Sequence, residues 1–157
     1  MAQFTFKIEG LENLKARIKE LPKDVQEEVV GEIQAWGNEV NSAQLSLISQ
    51  QKIQDFGALQ QNTKAVPNPD GVELISNVYY APFVEFGTGA KVKVPAEVAN
   101  YAARFRGQKR GTFAEFVIKM REWLKRKGSE PRPYFFDPYL KKRKQLVERI
   151  KKVISDV

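Results

Sequence analysis

Tyr79-Tyr80-Ala81-Pro82-Phe83-Val84-Glu85-Phe86-Gly87-Thr88-Gly89 sets five large apolar or aromatic residues around one carboxylate and a glycine on each side of Thr88. Pro82 suits the first turn of a helix, where its missing N–H costs no hydrogen bond. Gly87 suits the positive-φ position that ends one. The stretch therefore predicts a helix of about two turns followed by a glycine loop. Tyr79, Phe83 and Phe86 recur at i, i+4 and i+7, with Tyr80 and Val84 beside them, which leaves Glu85 pointing elsewhere.

Before this helix the chain reads as two strands. Thr63–Val66 and Val72–Val78 flank Pro67-Asn68-Pro69-Asp70-Gly71, a cluster of turn formers, so an antiparallel pair is expected. Gln50–Asn62 is polar, with a break at Asp55-Phe56-Gly57. Further upstream, Val25, Val29, Ile33, Trp36, Val40, Ala43 and Leu47 recur at steps of three and four and predict one long helix from Lys23 to about Ser49. Trp36 at its centre reads as a core anchor. Gln3–Glu9 alternates like a half-buried strand. Leu11, Leu14, Ile18 and Leu21 mark a short helix that Pro22 interrupts.

After the motif, Lys91-Val92-Lys93-Val94 alternates like a short edge strand. Ala96–Phe105 and the segment opened by Thr112-Phe113-Ala114-Glu115, a capping box, predict a helical hairpin around the basic loop Gly107–Gly111. Residues 130–136 carry prolines that hold them extended. Asp137 is then expected to cap a final helix with Pro138 at its first position. The fold class is α+β, with a small, mainly antiparallel sheet packed on a long N-terminal helix. A helical hairpin is inserted at about 95–128 and a C-terminal helix closes a single domain, 1–157.

The chain has no cysteine and no histidine. Disulfides, thiolate nucleophiles, Cys/His zinc sites and imidazole proton relays are excluded, so neither catalytic residues nor a metal or cofactor site is expected. Gly87-Thr88-Gly89 lacks the Gly-Lys-Ser/Thr ending of a phosphate loop. No apolar run is long enough to cross a membrane, and Met1–Lys7 lacks an apolar signal core, so no membrane contact and a cytosolic start are expected. The net charge of +7 is uneven: residues 1–100 hold nine basic and thirteen acidic side chains, residues 101–157 seventeen and six. Such a basic third attracts phosphate or an acidic protein face. Arg104, Arg106, Lys109 and Arg110 are the candidate contacts.

The order of these pieces resembles the tail-component, or tail-completion, family of long-tailed bacteriophages and prophages. The likeness rests on Asp55-Phe56-Gly57-Ala58-Leu59, on Tyr80-Ala81-Pro82-Phe83-Val84-Glu85-Phe86-Gly87-Thr88, and on Arg132-Pro133-Tyr134-Phe135 before the terminal helix. Where members usually follow the first phrase with Leu-Arg and a small residue, this chain reads Leu59-Gln60-Gln61. The resemblance implies a structural protein of the head–tail junction, with copies assembling as a ring at the head-proximal end of the tail. Its partners would be itself, the tail-tube or tail-terminator proteins and the head connector, with location in the virion neck and, during assembly, the host cytoplasm. Tyr80, Ala81, Phe83, Glu85, Phe86, Gly87, Thr88, Arg132 and Pro133 would form the structural or interface motif.

Two questions are left for the structure. A carboxylate inside an apolar motif needs a charge partner or several donors if it is buried. Arg132 or the N–H groups of the Gly87–Gly89 loop are the expected partners. The aromatic face of the same helix either packs into the domain's own core or meets a neighbouring subunit. The alternative function is a basic nucleic-acid-binding module built on the hairpin at 104–127, through non-specific phosphate attraction.

Overall fold

The long helix predicted from the apolar stripe organises the structure. The computed structural model describes residues 4–6, 12–51, 53, 56–78, 80–87, 91–96 and 128–156. Strand β1 (Phe4–Phe6) and helix α1 (Glu12–Lys19) lead to α2 (Lys23–Gln50), which is 28 residues long. Helix α3 (Phe56–Asn62) precedes the hairpin β2 (Thr63–Asn68) and β3 (Gly71–Ser76). Helix α4 (Ala81–Phe86) and the terminal helix α5 (Phe136–Ser155) complete the described elements. The expected α+β class is what the structure has. The inserted hairpin, with Arg104, Arg106, Lys109 and Arg110, lies outside the described residues, as do Tyr79, Thr88 and Gly89.

The sheet is antiparallel in the order β1-β3-β2. β2 is an edge strand, which is where Pro67 is tolerated, since a proline cannot donate to a ladder. The turn closes with Asn68 opposite Gly71 and the Asp70 N–H donating to Asn68 Oδ1 at 3.0 Å. Lys91–Val94 is not a strand, contrary to the alternating pattern. Val92 is buried and both lysines are exposed, so the alternation marks which side of the segment is covered. The Lys93 N–H donates to Phe86 O at 2.9 Å, and no described strand lies alongside. Within the polar segment before the hairpin, residues 56–62 form α3 with Leu59 fully buried.

Helix α2 packs on the sheet and also holds α5. It lies so close to β3 that a Cβ on Gly37 would fall 2.5 Å from a Val72 methyl. On α2 the buried residues are Val25, Val29, Ile33, Trp36, Gly37, Val40, Gln44 and Ile48. Ala43 and Leu47, expected in the stripe, are half-buried and yield their places to Gln44 and Ile48. Each fully buried aliphatic side chain contributes about 1.5–3 kcal/mol. Trp36 is fully buried, as expected of an anchor. Its Nε1–H donates to Lys142 O at 2.9 Å, and its ring meets Tyr139 edge-on at 5.9 Å. Arg149 grips Glu39 through both guanidinium amines, at 2.8 and 2.9 Å, tying α5 to α2 on their exposed flank.

Candidate functional site

Two of the three phrases that carry the resemblance, those around Glu85 and Arg132, meet each other. Helix α4 begins with Pro82 in its first turn and ends at Gly87, whose φ is +79° and ψ −174°. That backbone region belongs almost entirely to glycine. A Cβ on Gly87 would also strike Ser129 O at 2.7 Å and Pro131 N at 2.9 Å. Glycine is therefore required twice over, by dihedral and by the close approach of residues 129–131.

The buried face of α4 takes only Phe86 from the expected aromatic face. Ala81, Pro82, Glu85 and Phe86 point inward, whereas Tyr80, Phe83 and Val84 are half-buried. Glu85 is 3% exposed and, among the described residues, is bonded by neither Arg132 nor Gly87, while Thr88 and Gly89 lie outside them. Its Oε2 accepts the Tyr134 and Phe135 N–H groups at 2.7 and 2.9 Å, and its Oε1 accepts the Phe136 N–H at 3.1 Å. Phe135 is the N-cap and Phe136 the first residue of α5, whose leading N–H groups have no carbonyl within the helix to bond, and Tyr134 directly precedes them. Asp137, expected as the cap, instead pairs with Lys141 at 2.8 Å, and α5 starts two residues earlier than expected, at Phe136 rather than Pro138. The helix is capped from outside, by a carboxylate about fifty residues upstream.

The electrostatics pull in two directions. Burial pushes the Glu85 carboxyl up to about 7, with Asp137 adding to the rise, while the three backbone donors oppose it. The macrodipole at the start of α5 also favours negative charge there.

The extended run into α5 is held by hydrogen bonds from several elements. The Arg132 N–H donates to Val84 O at 2.8 Å. Gln51 Nε2 donates to Pro133 O at 3.1 Å, and Gln44 Nε2 to Phe135 O at 2.9 Å. Tyr134 is fully buried, and its hydroxyl lies 2.7 Å from Ser76 Oγ, which lies 3.1 Å from Thr63 Oγ1. Thr63 donates to Leu59 O at 2.8 Å, so the protons run one way, from Tyr134 through Ser76 to Thr63. Burial holds the Tyr134 phenol far above its ordinary range, so it serves as a donor. Phe86 stacks on Phe136 at 6.0 Å, closing the apolar side of the junction.

Arg132 is exposed and forms no ion pair with Glu85, and Pro133 is exposed beside it. Arg132 borders a cleft of about 400 Å³ lined by Ile53, Tyr80, Phe83, Val84, Ser129 and Glu130. The structure thus gathers Ala81, Glu85, Phe86 and Gly87 into the junction and leaves Tyr80, Phe83 and Arg132 at the cleft. Tyr134, Ser76, Thr63, Gln44 and Gln51 were not foreseen as parts of the junction. Only Gln44, a polar residue on an apolar stripe, carried a signal. Among the described residues no cluster of three metal-binding side chains occurs, and no helix is long and apolar enough to cross a membrane. No protein-family model, no curated protein and no solved structure matches the chain.

Proposed function

We propose that the protein is a non-catalytic structural component of the head–tail junction of a long-tailed phage or prophage. Copies form a ring at the head-proximal end of the tail, against the tail-tube or tail-terminator proteins and the head connector. The observation that supports this reading is the junction of Glu85 with Tyr134–Phe136. Two of the three phrases on which the resemblance rests act on each other, and the one carboxylate of the motif is committed to backbone donors. Such a carboxylate is occupied in holding backbone, while the half-buried Tyr80 and Phe83 border a cleft, and interfaces draw on Tyr and Phe. A closed ring requires a heterologous contact between copies.

Light scattering on the protein alone, and mixed with tail-tube or connector proteins of a candidate phage, tests the reading. Ring-sized mass that depends on those proteins is expected. A monomer that ignores them and binds DNA tightly at physiological salt would overturn it in favour of a nucleic-acid-binding module.

A further inference from the structure

We propose that the cleft beside Arg132 is a docking site for an acidic, apolar segment of a partner protein, taking a large apolar side chain next to a carboxylate. The inference stands on the cleft itself and does not depend on the assembly reading. Glu85 is satisfied by backbone N–H groups, so Arg132 is not needed to neutralise it. Among the described residues the Arg132 guanidinium has no carboxylate partner, whereas the adjacent Glu130 is engaged by Lys91 at 3.1 Å. One cation is therefore left at the mouth of the cleft without a matching anion.

The backbone that carries this cation is fixed. Arg132 stands between two prolines, its N–H is bonded to Val84 O, and Pro133 O accepts from Gln51. Gly87 presses against Ser129 and Pro131 from behind. A guanidinium on such a support loses little backbone freedom on binding, and its planar fork matches a carboxylate with two parallel hydrogen bonds. The walls supply the apolar part: Ile53 is buried, and Tyr80, Phe83 and Val84 are half-buried. At about 400 Å³ the cleft is at the small end of the range for ligand sites, suited to one large side chain and the backbone beside it. Aromatic residues and arginine together are the commonest composition of interface hot spots. A nucleic acid strand would want several cations along its phosphates, and the cleft offers one. The net charge of +7 favours approach of an acidic partner.

The probe is an eight-residue fluorescent peptide of alternating phenylalanine and aspartate, compared with its asparagine counterpart by anisotropy against the full chain. Backbone chemical shifts report where each binds. The aspartate peptide should perturb Phe83, Val84 and Arg132, and Arg132→Gln should weaken it about tenfold, the scale of one charge-assisted hydrogen-bonded pair. The asparagine peptide should bind the parent and the variant alike, and the melting temperature of the variant should be unchanged, because the guanidinium is exposed. Equal affinity for both peptides, no binding of either, or shifts confined to the basic face of α5 would overturn the proposal. So would an Arg132-dependent self-association that occludes the cleft, because the occupant would then be a second copy. Displacement of the peptide by single-stranded DNA through the same shifts would assign the cleft to nucleic acid and overturn it as well.

Discussion

Glu85 shows how a single side chain can be both the most polar and among the most constrained atoms of a core. Burial lifts its carboxyl from the usual carboxylate range to about 7. The folded state therefore binds this proton more tightly than the unfolded chain does. Its contribution to stability is fully present below the unfolded value near 4.5 and is lost as the pH rises toward 7, an effect of order 3 kcal/mol. Urea denaturation across that window should show stability falling with pH in the parent and a flatter profile in Glu85→Gln. At pH 5 the glutamine should cost about 1–3 kcal/mol, because its NH2 cannot accept and one backbone donor is left buried without a partner. By pH 8 the gap should narrow, since the parent then carries a buried charge. A gap that widened with pH would show that the three donors and the α5 dipole outweigh burial.

At the scale of elements, the approach of α2 to β3 depends on Gly37. Glycine in a helix interior costs about 1 kcal/mol relative to alanine, so Gly37→Ala on an exposed helix would stabilise. Here the new Cβ would fall 2.5 and 2.7 Å from the two Val72 methyls. We expect Gly37→Ala to destabilise by about 1–3 kcal/mol. Adding Val72→Ala should recover part of that loss in a double-mutant cycle of thermal or urea unfolding, and strict additivity would refute the contact. The long stripe made α2 legible in the sequence, because seven apolar positions over many turns admit one face only. Its last turns were misread, since Gln44 is buried for the carbonyl of Phe135, which no local pattern announces. The buried face of α4 was misread for a related reason. A helix of six residues has too few turns to define a face by apolar spacing, and donors about fifty residues away decide its orientation. The pattern at Lys91–Val94 gave burial correctly and pairing wrongly, because alternation reports which side is covered and not what covers it.

Over the whole molecule, α2 carries both the sheet and α5, and the exposed charges repeat that layout. Arg149 bonds Glu39 and approaches Glu32 at 3.9 Å, while Lys142 lies 3.8 Å from Glu39. The Arg149 hydrogen bond holds the Glu39 carboxyl below its usual value. This stability is present above the ordinary carboxylate range and fades as acid protonates Glu39. Both partners are more than a third open to solvent or close to it, so the pair is screened. Arg149→Gln should lower stability by under about 1 kcal/mol, and in ~1 M salt the difference should disappear. Persistence of the full effect in high salt would mean that Arg149 acts by packing. The α+β class and the pairing of strands were readable from turn formers and periodicity. The junction was not, because its five bonding partners for residues 132–136 are scattered between Gln44 and Glu85.

Synthesis of the chain gives the external cap of α5 a temporal meaning. A ribosome delivers Glu85 well before Tyr134, Phe135 and Phe136 exist, so the carboxylate cannot be buried while the nascent chain ends in between. Sheet and α2 can pair early, yet α4 must stay undocked until its partners emerge. Closure of the core is thereby deferred until residues 134–136 have emerged, and a chain stalled before residue 134 would expose Phe86 and Trp36 together.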